Sequence, residues 1–274
     1  MGVYGGGRMG SGIAHAFLTS GATVRVVEVS DSGADAARSR IEASVSTAVN
    51  RGSVGGTAGE HLQRLSVGSD PRGLAGCGLV VEAVSEEPEL KADVLRAIEA
   101  NAPSAWIGTN TSSLSISKLA EALHDTSALI GLHFFNPVPV SDLVEIVVTE
   151  STNHVLELAA QSWVRALGKS AIVVKDSPGF ASSRLGVAIA LEAMRMFEAG
   201  IASAEDIDAA MTLGYRHPMG PLRTTDLVGL DVRLAIAEHL NRELGPRFEP
   251  PSILREKVAS GHLGRKTGRG FYDW

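Results

Sequence analysis

Two sets of residues in this chain are of types that do chemistry, at spacings that bring them together. The first centres on His133, in the run Gly131-Leu132-His133-Phe134-Phe135-Asn136-Pro137-Val138-Pro139. This segment reads as a strand that ends and then breaks on two prolines. Imidazole changes charge near neutral pH, so a histidine there is suited to take the proton of an alcohol as it is oxidised. Glu145 follows twelve residues later in Leu143-Val144-Glu145-Ile146, an otherwise apolar strand-like run. A carboxylate inside such a run needs a partner, because burying it alone is costly. His133 is a good candidate for that partner. Asn136 shares the strand end, where ligands of open α/β sheets bind. The chain has eight histidines, and most belong on the surface or in structural roles. It is the neighbourhood of His133, not its type, that singles it out.

The second set is Gly5-Gly6-Gly7-Arg8-Met9-Gly10, a G-x-G-x-x-G directly after a short strand and opening a helical pattern. Gly5 permits the tight turn and Gly7 lets the backbone approach a pyrophosphate. Gly10 lets the helix pack close to the strand, so that its first N–H groups face the phosphates. Glu28 ends the second strand, eighteen residues after Gly10. A carboxylate there accepts hydrogen bonds from ribose hydroxyls and repels a 2′-phosphate, which favours NAD over NADP. The plainer alternative is a solvated strand-end glutamate. Arg8 lies inside the loop, with a phosphate contact and a solvent-facing position equally open to it.

The elements that must hold these groups follow from the hydrophobic pattern. After Val3-Tyr4, strand-like runs fall at 22–28, 79–83, 106–109, 128–134, 143–148 and 171–175, with helical patterns at 31–51, 88–100 and 115–123. Strand and helix alternating at this spacing predict right-handed βαβ crossovers, hence a Rossmann-type α/β domain with a mostly parallel sheet. Asp176-Ser177-Pro178-Gly179 is a breaker cluster. Beyond it strands stop, and helices are predicted at 180–199, 204–212, 224–244 and 253–260, with Ser203 as an N-cap and Asp206 in its first turn. The expected organisation is a nucleotide-binding domain over 1–178 and an all-helical C-terminal domain over 179–274. The glycine-rich 52–59 reads as a loop, and no internal repeat is visible.

Composition bounds the function. The 274 residues are 44% hydrophobic, enough for a real core in one large or two medium domains. The net charge of −6 disfavours a nucleic-acid partner. One cysteine, Cys77, allows no internal disulfide and points to a reducing compartment. No apolar run approaches the ~20 residues of a membrane span, and no secretory signal is visible, so a cytoplasmic protein is expected. No metal-ligand cluster is read either. The opening strand is unusually short, which leaves open whether residues precede Met1.

The string LHFFNPVPV, the LVEI after it, Asn110-Thr111-Ser112-Ser113, Lys175-Asp176-Ser177-Pro178-Gly179-Phe180, His217-Pro218-Met219-Gly220-Pro221 and Gly264-Arg265-Lys266-Thr267-Gly268-Arg269-Gly270-Phe271-Tyr272 together resemble the L-3-hydroxyacyl-CoA dehydrogenase family. The matches run in order from residue 2 to residue 274. Within the family the chain is most similar to the free-standing bacterial branch that acts on 3-hydroxybutyryl-CoA. The resemblance implies that His133 is the general base and that Glu145 orients it. It also implies that Ser112 hydrogen-bonds the substrate oxygen and Asn136 lies beside the nicotinamide. Glu86, Lys91 and Lys266 match cofactor-contacting positions. Ser44 and Arg51 match positions that hold CoA, although periodicity alone makes them ordinary exposed helix residues.

One position departs from the pattern. Many members carry an asparagine in a PGFxxNR run that helps hold the substrate, and here Ser183 stands in its place. Serine is shorter and has no carboxamide, which puts acyl-chain specificity in doubt more than the reaction. Three rivals therefore remain: a dehydrogenase of a sugar acid such as L-gulonate or of carnitine, a non-catalytic NAD-binding protein on the same fold, and an unrelated phosphate-binding module, which Glu28 argues against. The family forms dimers through its helical domain. Val187, Ile189, Leu191, Met194 and Phe197 give this chain the apolar faces to do the same, unless they fill the domain's own core.

Overall fold

The β-branched runs of the first half hydrogen-bond side by side into one sheet. The structure, a computed structural model, describes residues 1–274, in two compact units, Met1–Asp176 and Ser177–Trp274. In the first unit the strands are β1 (Gly2–Tyr4), β2 (Val24–Val27), β3 (Leu65–Gly68), β4 (Leu79–Glu82), β5 (Trp106–Thr109), β6 (Leu129–Phe134), β7 (Leu143–Val148) and β8 (Ser170–Lys175). Their spatial order is β3-β2-β1-β4-β5-β6-β7-β8. All neighbours are parallel except β6 and β7, which run antiparallel. Chain order reverses at β1, where β2 lies on one side and β4 on the other, which is where open sheets of this kind bind ligands.

The helices of this unit are α1 (Arg8–Thr19), α2 (Asp31–Asn50), α3 (Ala58–Leu62), α4 (Pro88–Asn101), α5 (Ile116–Ala120) and α6 (His154–Ala166). Ile13 and Leu18 of α1, Ile41 and Val45 of α2, and Leu156 and Val164 of α6 pack with Val3, Val26, Val81, Ile130 and Ile146 of the sheet into one core. Three elements were not anticipated, β3, α6 and the five-residue α3, which begins inside the 52–59 stretch expected to be a loop. The β3 strand is short and half polar, so its alternation is weak. Helix α6 buries only Leu156, Ala160 and Val164, a narrow i, i+4, i+8 stripe that the sequence did carry. The helix expected over 115–123 shrinks to the five residues of α5.

The second unit is helical throughout: α7 (Ser182–Glu198), α8 (Ala204–Gly214), α9 (Pro221–Val228), α10 (Leu230–Leu244) and α11 (Ser252–Ala259). Ser203 caps α8, its side chain accepting from the Asp206 N–H at 3.1 Å. The single helix expected over 224–244 is in fact two. Gly229 breaks it at φ 102°, a backbone state that side-chain-bearing residues rarely adopt, and α9 begins earlier, on Pro221. The carboxylate of Asp208 holds that beginning, accepting from the N–H groups of Leu222 and Arg223 at 2.8 and 2.9 Å. Asp226 does the same for the chain's last residues, accepting from the N–H groups of Phe271 and Tyr272 and from the indole of Trp274, each at 2.9 Å. Val187, Leu191 and Met194 lie in this unit's own core, so a second chain is not needed to cover them. Ile189 and Leu185 stay exposed. No helix is long and apolar enough to cross a membrane.

Candidate active site

The glycine-rich turn has the geometry its spacing implies. Gly5 takes φ 94°, which turns the chain out of β1 into α1. A Cβ on Gly10 would lie 1.8 Å from the Gly5 carbonyl oxygen, so only glycine lets α1 sit this close to the strand. At Gly7 an added Cβ would meet nothing within 4 Å, and no side chain caps the start of α1. The first N–H groups of that helix are therefore left to a ligand, and a phosphate suits them. Arg8 is exposed and Met9 half-buried beside them. Gly6 is turned inward, with its N–H donating to the Glu28 carboxylate at 2.7 Å and its carbonyl accepting from Arg40. Glu28 thus braces the turn from the end of β2 while remaining partly exposed. These residues fit a dinucleotide.

His133 is the penultimate residue of β6, and Glu145 is directly opposite it in the antiparallel β7 register. The antiparallel turn brings this about, because it returns the chain to the same strand edge within a dozen residues. The imidazole Nδ1 lies 2.7 Å from a Glu145 carboxylate oxygen. Glu145 is fully buried and His133 is 7% exposed. The Phe135 ring lies 4.6 Å from the imidazole, centroid to centroid, and tilted to it. Asn136 follows, exposed, at a cis peptide bond to Pro137. The Asn110 side chain ties the ends of β5 and β6 together, accepting from the Phe134 N–H at 3.0 Å.

Ser112 stands on the turn after β5, and Glu86 organises that turn. One Glu86 oxygen accepts from the Thr111 hydroxyl at 2.6 Å, from the N–H groups of Ser112 and Ser113 at 2.7 and 3.0 Å, and from their hydroxyls at 3.2 and 3.0 Å. Burial works against the charge of Glu86. The Thr111 hydroxyl, the Lys91 ammonium and the bonds from Ser112 and Ser113 outweigh it and hold the carboxyl below its ordinary range.

Lys91, expected among the cofactor contacts, is 1% exposed and engaged elsewhere. Its ammonium donates to both oxygens of Glu82 at 2.8 and 3.0 Å and lies 3.4 Å from Glu86. Glu82 also accepts from the Val84 N–H at 2.7 Å and the Thr109 hydroxyl at 2.6 Å. Sequence reasoning missed Glu82, although Leu79-Val80-Val81-Glu82 carries the same signal as Glu145, an acid in an apolar strand.

Ser44 and Arg51 both line a cavity of 920 Å³ in the first unit, with His15, Lys169, Pro137 and Pro139 among its walls. The Ser44 hydroxyl lies 2.9 Å from His15 Nδ1. Lys169, also unforeseen, donates to the carbonyls of Val138 and Ser141 and so pins the loop that follows His133. Burial lowers the pKa of Lys169, against the pull of Asp142. Burial, His61 and Lys169 lower that of His15. The other two expected site residues belong to the second unit. Lys266 is exposed and paired at 2.6 Å with Asp231, and Ser183 is the second residue of α7, half-buried.

A mostly parallel sheet whose β1–β4 switch point carries an uncapped glycine-rich turn is that of a Rossmann-type dinucleotide-binding oxidoreductase. Residues 1–177 match the 3-hydroxyacyl-CoA dehydrogenase NAD-binding domain, and residues 179–274 match the 3-hydroxyacyl-CoA dehydrogenase C-terminal domain. The chain belongs to the 3-hydroxyacyl-CoA dehydrogenase family, and its cofactor is NAD. It is 40% identical to a 3-hydroxybutyryl-CoA dehydrogenase of Mycobacterium tuberculosis, over 100% of this chain and 98% of that one. It is 37% identical to the mitochondrial hydroxyacyl-coenzyme A dehydrogenase of Sus scrofa, over 99% of this chain and 90% of that one. The crystal structure of (S)-3-hydroxybutyryl-CoA dehydrogenase from Ralstonia eutropha superposes with a TM-score of 0.94 at 37% identity, covering 100% and 98% of the two chains.

Proposed function

We propose that this protein interconverts (S)-3-hydroxyacyl-CoA and 3-oxoacyl-CoA thioesters, with 3-hydroxybutyryl-CoA the simplest substrate, and that His133 is its general base. The observation that carries the reading is the carboxylate-held imidazole on the β6–β7 register pair. With Nδ1–H given to Glu145, the neutral tautomer places its lone pair on Nε2. That atom takes the 3-hydroxyl proton in oxidation and returns it in reduction. Glu145 fixes the tautomer and stabilises the imidazolium that forms. NAD supplies the hydride acceptor. Ser112 holds the developing carbonyl oxygen from a turn kept rigid by Glu86. Asn136, at the same strand end as His133, borders the nicotinamide. Gly5, Gly6, Gly7, Arg8, Met9 and Gly10 hold the pyrophosphate, and Glu28 the adenine ribose. Lys266 supplies a further cofactor contact. Lys91 acts on the cofactor side only indirectly, through Glu86.

CoA is assigned to the cavity lined by Ser44 and Arg51. Its size falls within the range of small-molecule sites, and Arg51 and Lys169 give it positive charge. Ser183 is the substrate-facing residue of the second unit. The acidic composition, with no membrane span, accords with a cytoplasmic enzyme. The exposed Ile189 and Leu185 suit a homodimer formed through the helical domain.

The test is NADH oxidation with acetoacetyl-CoA at neutral pH. Wild type turns it over, and His133→Ala loses about 10²–10⁴-fold in kcat, the usual worth of a general base. No turnover with any acyl-CoA, alongside oxidation of L-gulonate or carnitine, sinks the thioester reading and leaves the fold and base in place.

A further inference from the structure

The loop that leaves the His133 strand end is also a wall of the cavity that holds Ser44 and Arg51. Pro137, Pro139 and Val140 line that cavity together with Lys169. The loop closes on the Pro137 carbonyl, which accepts from the N–H groups of Val140 and Ser141 at 3.2 and 3.1 Å. Its two prolines bring no N–H groups, so much of what fixes it comes from outside. Val138 is 2% exposed and packs on α1 at Gly12, where an added Cβ would lie 2.9 Å from the Val138 Cβ. The turn between α6 and β8 supplies the rest. The Lys169 ammonium donates to the Val138 and Ser141 carbonyls at 2.7 and 2.5 Å, and the Ser170 N–H donates to that of Asp142 at 2.6 Å. One short loop thus joins the strand end of His133 and Asn136, the helix that opens on the glycine-rich turn, and the wall of the cavity.

Lys169 is where these meet. An ammonium has three donors, and two of them go to carbonyl oxygens of the loop. Those partners carry no net charge, and Asp142 is the acid that acts on the ammonium, through space. The third donor is left for an anion in the cavity. His15, on the same wall, does not compete for that role. Burial, His61 and Lys169 all favour its neutral form, and its Nδ1 is engaged by the Ser44 hydroxyl. A phosphate drawn to Lys169 therefore meets the group that holds the loop, away from the reacting atoms. Binding energy from a remote part of a substrate can be used in this way to order the reacting centre.

We propose that Lys169 is a positioning residue that couples anion binding in this cavity to the loop after Asn136, so that the nucleotide end of the thioester sets the geometry at its acyl end. This rests on the acyl-CoA reading above and adds to it a link between the two ends of the substrate. The experiment separates those ends. The acetoacetyl thioester of N-acetylcysteamine, which lacks the nucleotide, is reduced with NADH in the absence and presence of 3′-phospho-ADP, the missing half. Wild type is expected to gain about fivefold or more in kcat/KM with the fragment bound. Lys169→Met should bring that ratio to one, whatever its basal rate, and Lys169→Arg should restore part of it. A side chain that merely stabilises the fold changes the basal rate and leaves the ratio alone. The wild-type ratio needs no variant, so it decides the matter even if Lys169→Met does not fold. Competition of the fragment with acetoacetyl-CoA reports its binding. A fragment that binds without raising kcat/KM overturns the inference, and so does a truncated thioester that stays inert with the fragment bound. A gain that survives in folded Lys169→Met also overturns it. A fragment that does not compete removes the assignment of CoA to this cavity and the inference with it, while turnover of acetoacetyl-CoA keeps the reaction in place. No turnover of either thioester overturns both readings.

Discussion

Two buried acids of the same sheet each hold a basic side chain, in surroundings that differ. Glu82 at the end of β4 holds Lys91, and Glu145 on β7 holds His133. Both carboxylates are fully buried. The Glu82 pair is closed on itself: Lys91 is 1% exposed, and Glu82 accepts from Lys91, the Val84 N–H and the Thr109 hydroxyl together. An ammonium in such a cage ties α4 to the ends of β4 and β5 and steadies Glu86, with no face left open to a substrate. The His133 pair sits at a strand end beside a proline-broken loop, and imidazole does change charge in that range. The difference teaches that a buried acid in a strand must find a hydrogen-bonding partner. The identity of that partner, and whether it stays open to a ligand, decides whether the pair can also do chemistry.

The sharpest way to break this comparison is Glu145→Gln. The amide keeps the packing but no longer stabilises an imidazolium, so kcat should fall by about 10²–10⁴-fold with little change in urea unfolding. If stability falls and kcat does not, the His133 pair is structural too. Glu82→Gln should do the reverse. Leaving buried Lys91 with Glu86, 3.4 Å away, as its remaining counterion costs up to about 3 kcal/mol in urea unfolding, and the Glu82→Gln/Lys91→Met double variant should recover much of that loss. A double variant as unstable as the sum of the singles removes the case for a closed pair.

Glu86, which joins Lys91 to the Ser112 turn, should show itself in acid. Its folded pKa is depressed, so its stabilisation is present above the ordinary value of 4.5 and lost as pH falls below it. Glu86→Gln should therefore flatten the stability–pH curve below 4.5, and raise the KM for acyl-CoA through a looser Ser112 turn. A curve unchanged in that window contradicts the assignment. The smallest effect is expected at Lys266–Asp231, a pair with both side chains well exposed, 46% and 39%. Asp231→Asn should lower stability by no more than about 1 kcal/mol. A loss as large as that at Glu82 breaks the rule that burial, not charge alone, sets what a pair contributes.

Local chemistry was legible because it depends on neighbours in sequence. The Gly5–Gly10 turn and the Ser203 cap have the geometry their spacing predicts, and the mostly parallel sheet followed from alternating periods. The sequence by itself also determined that an acid within an apolar strand must find a partner, and that His133 stands at a strand end. What it left undecided was long-range. Two strands carry such an acid; sequence offered His133 for Glu145, which the β6–β7 register sets directly opposite, but the partner of Glu82, Lys91, came only from the packing of α4 on the sheet. The tertiary structure alone turned Lys91 inward and brought His15 and Lys169 to the walls around Ser44 and Arg51. Each of these is a contact between segments far apart in the chain. Such contacts are fixed by how whole elements pack, not by any periodicity a short window of sequence contains.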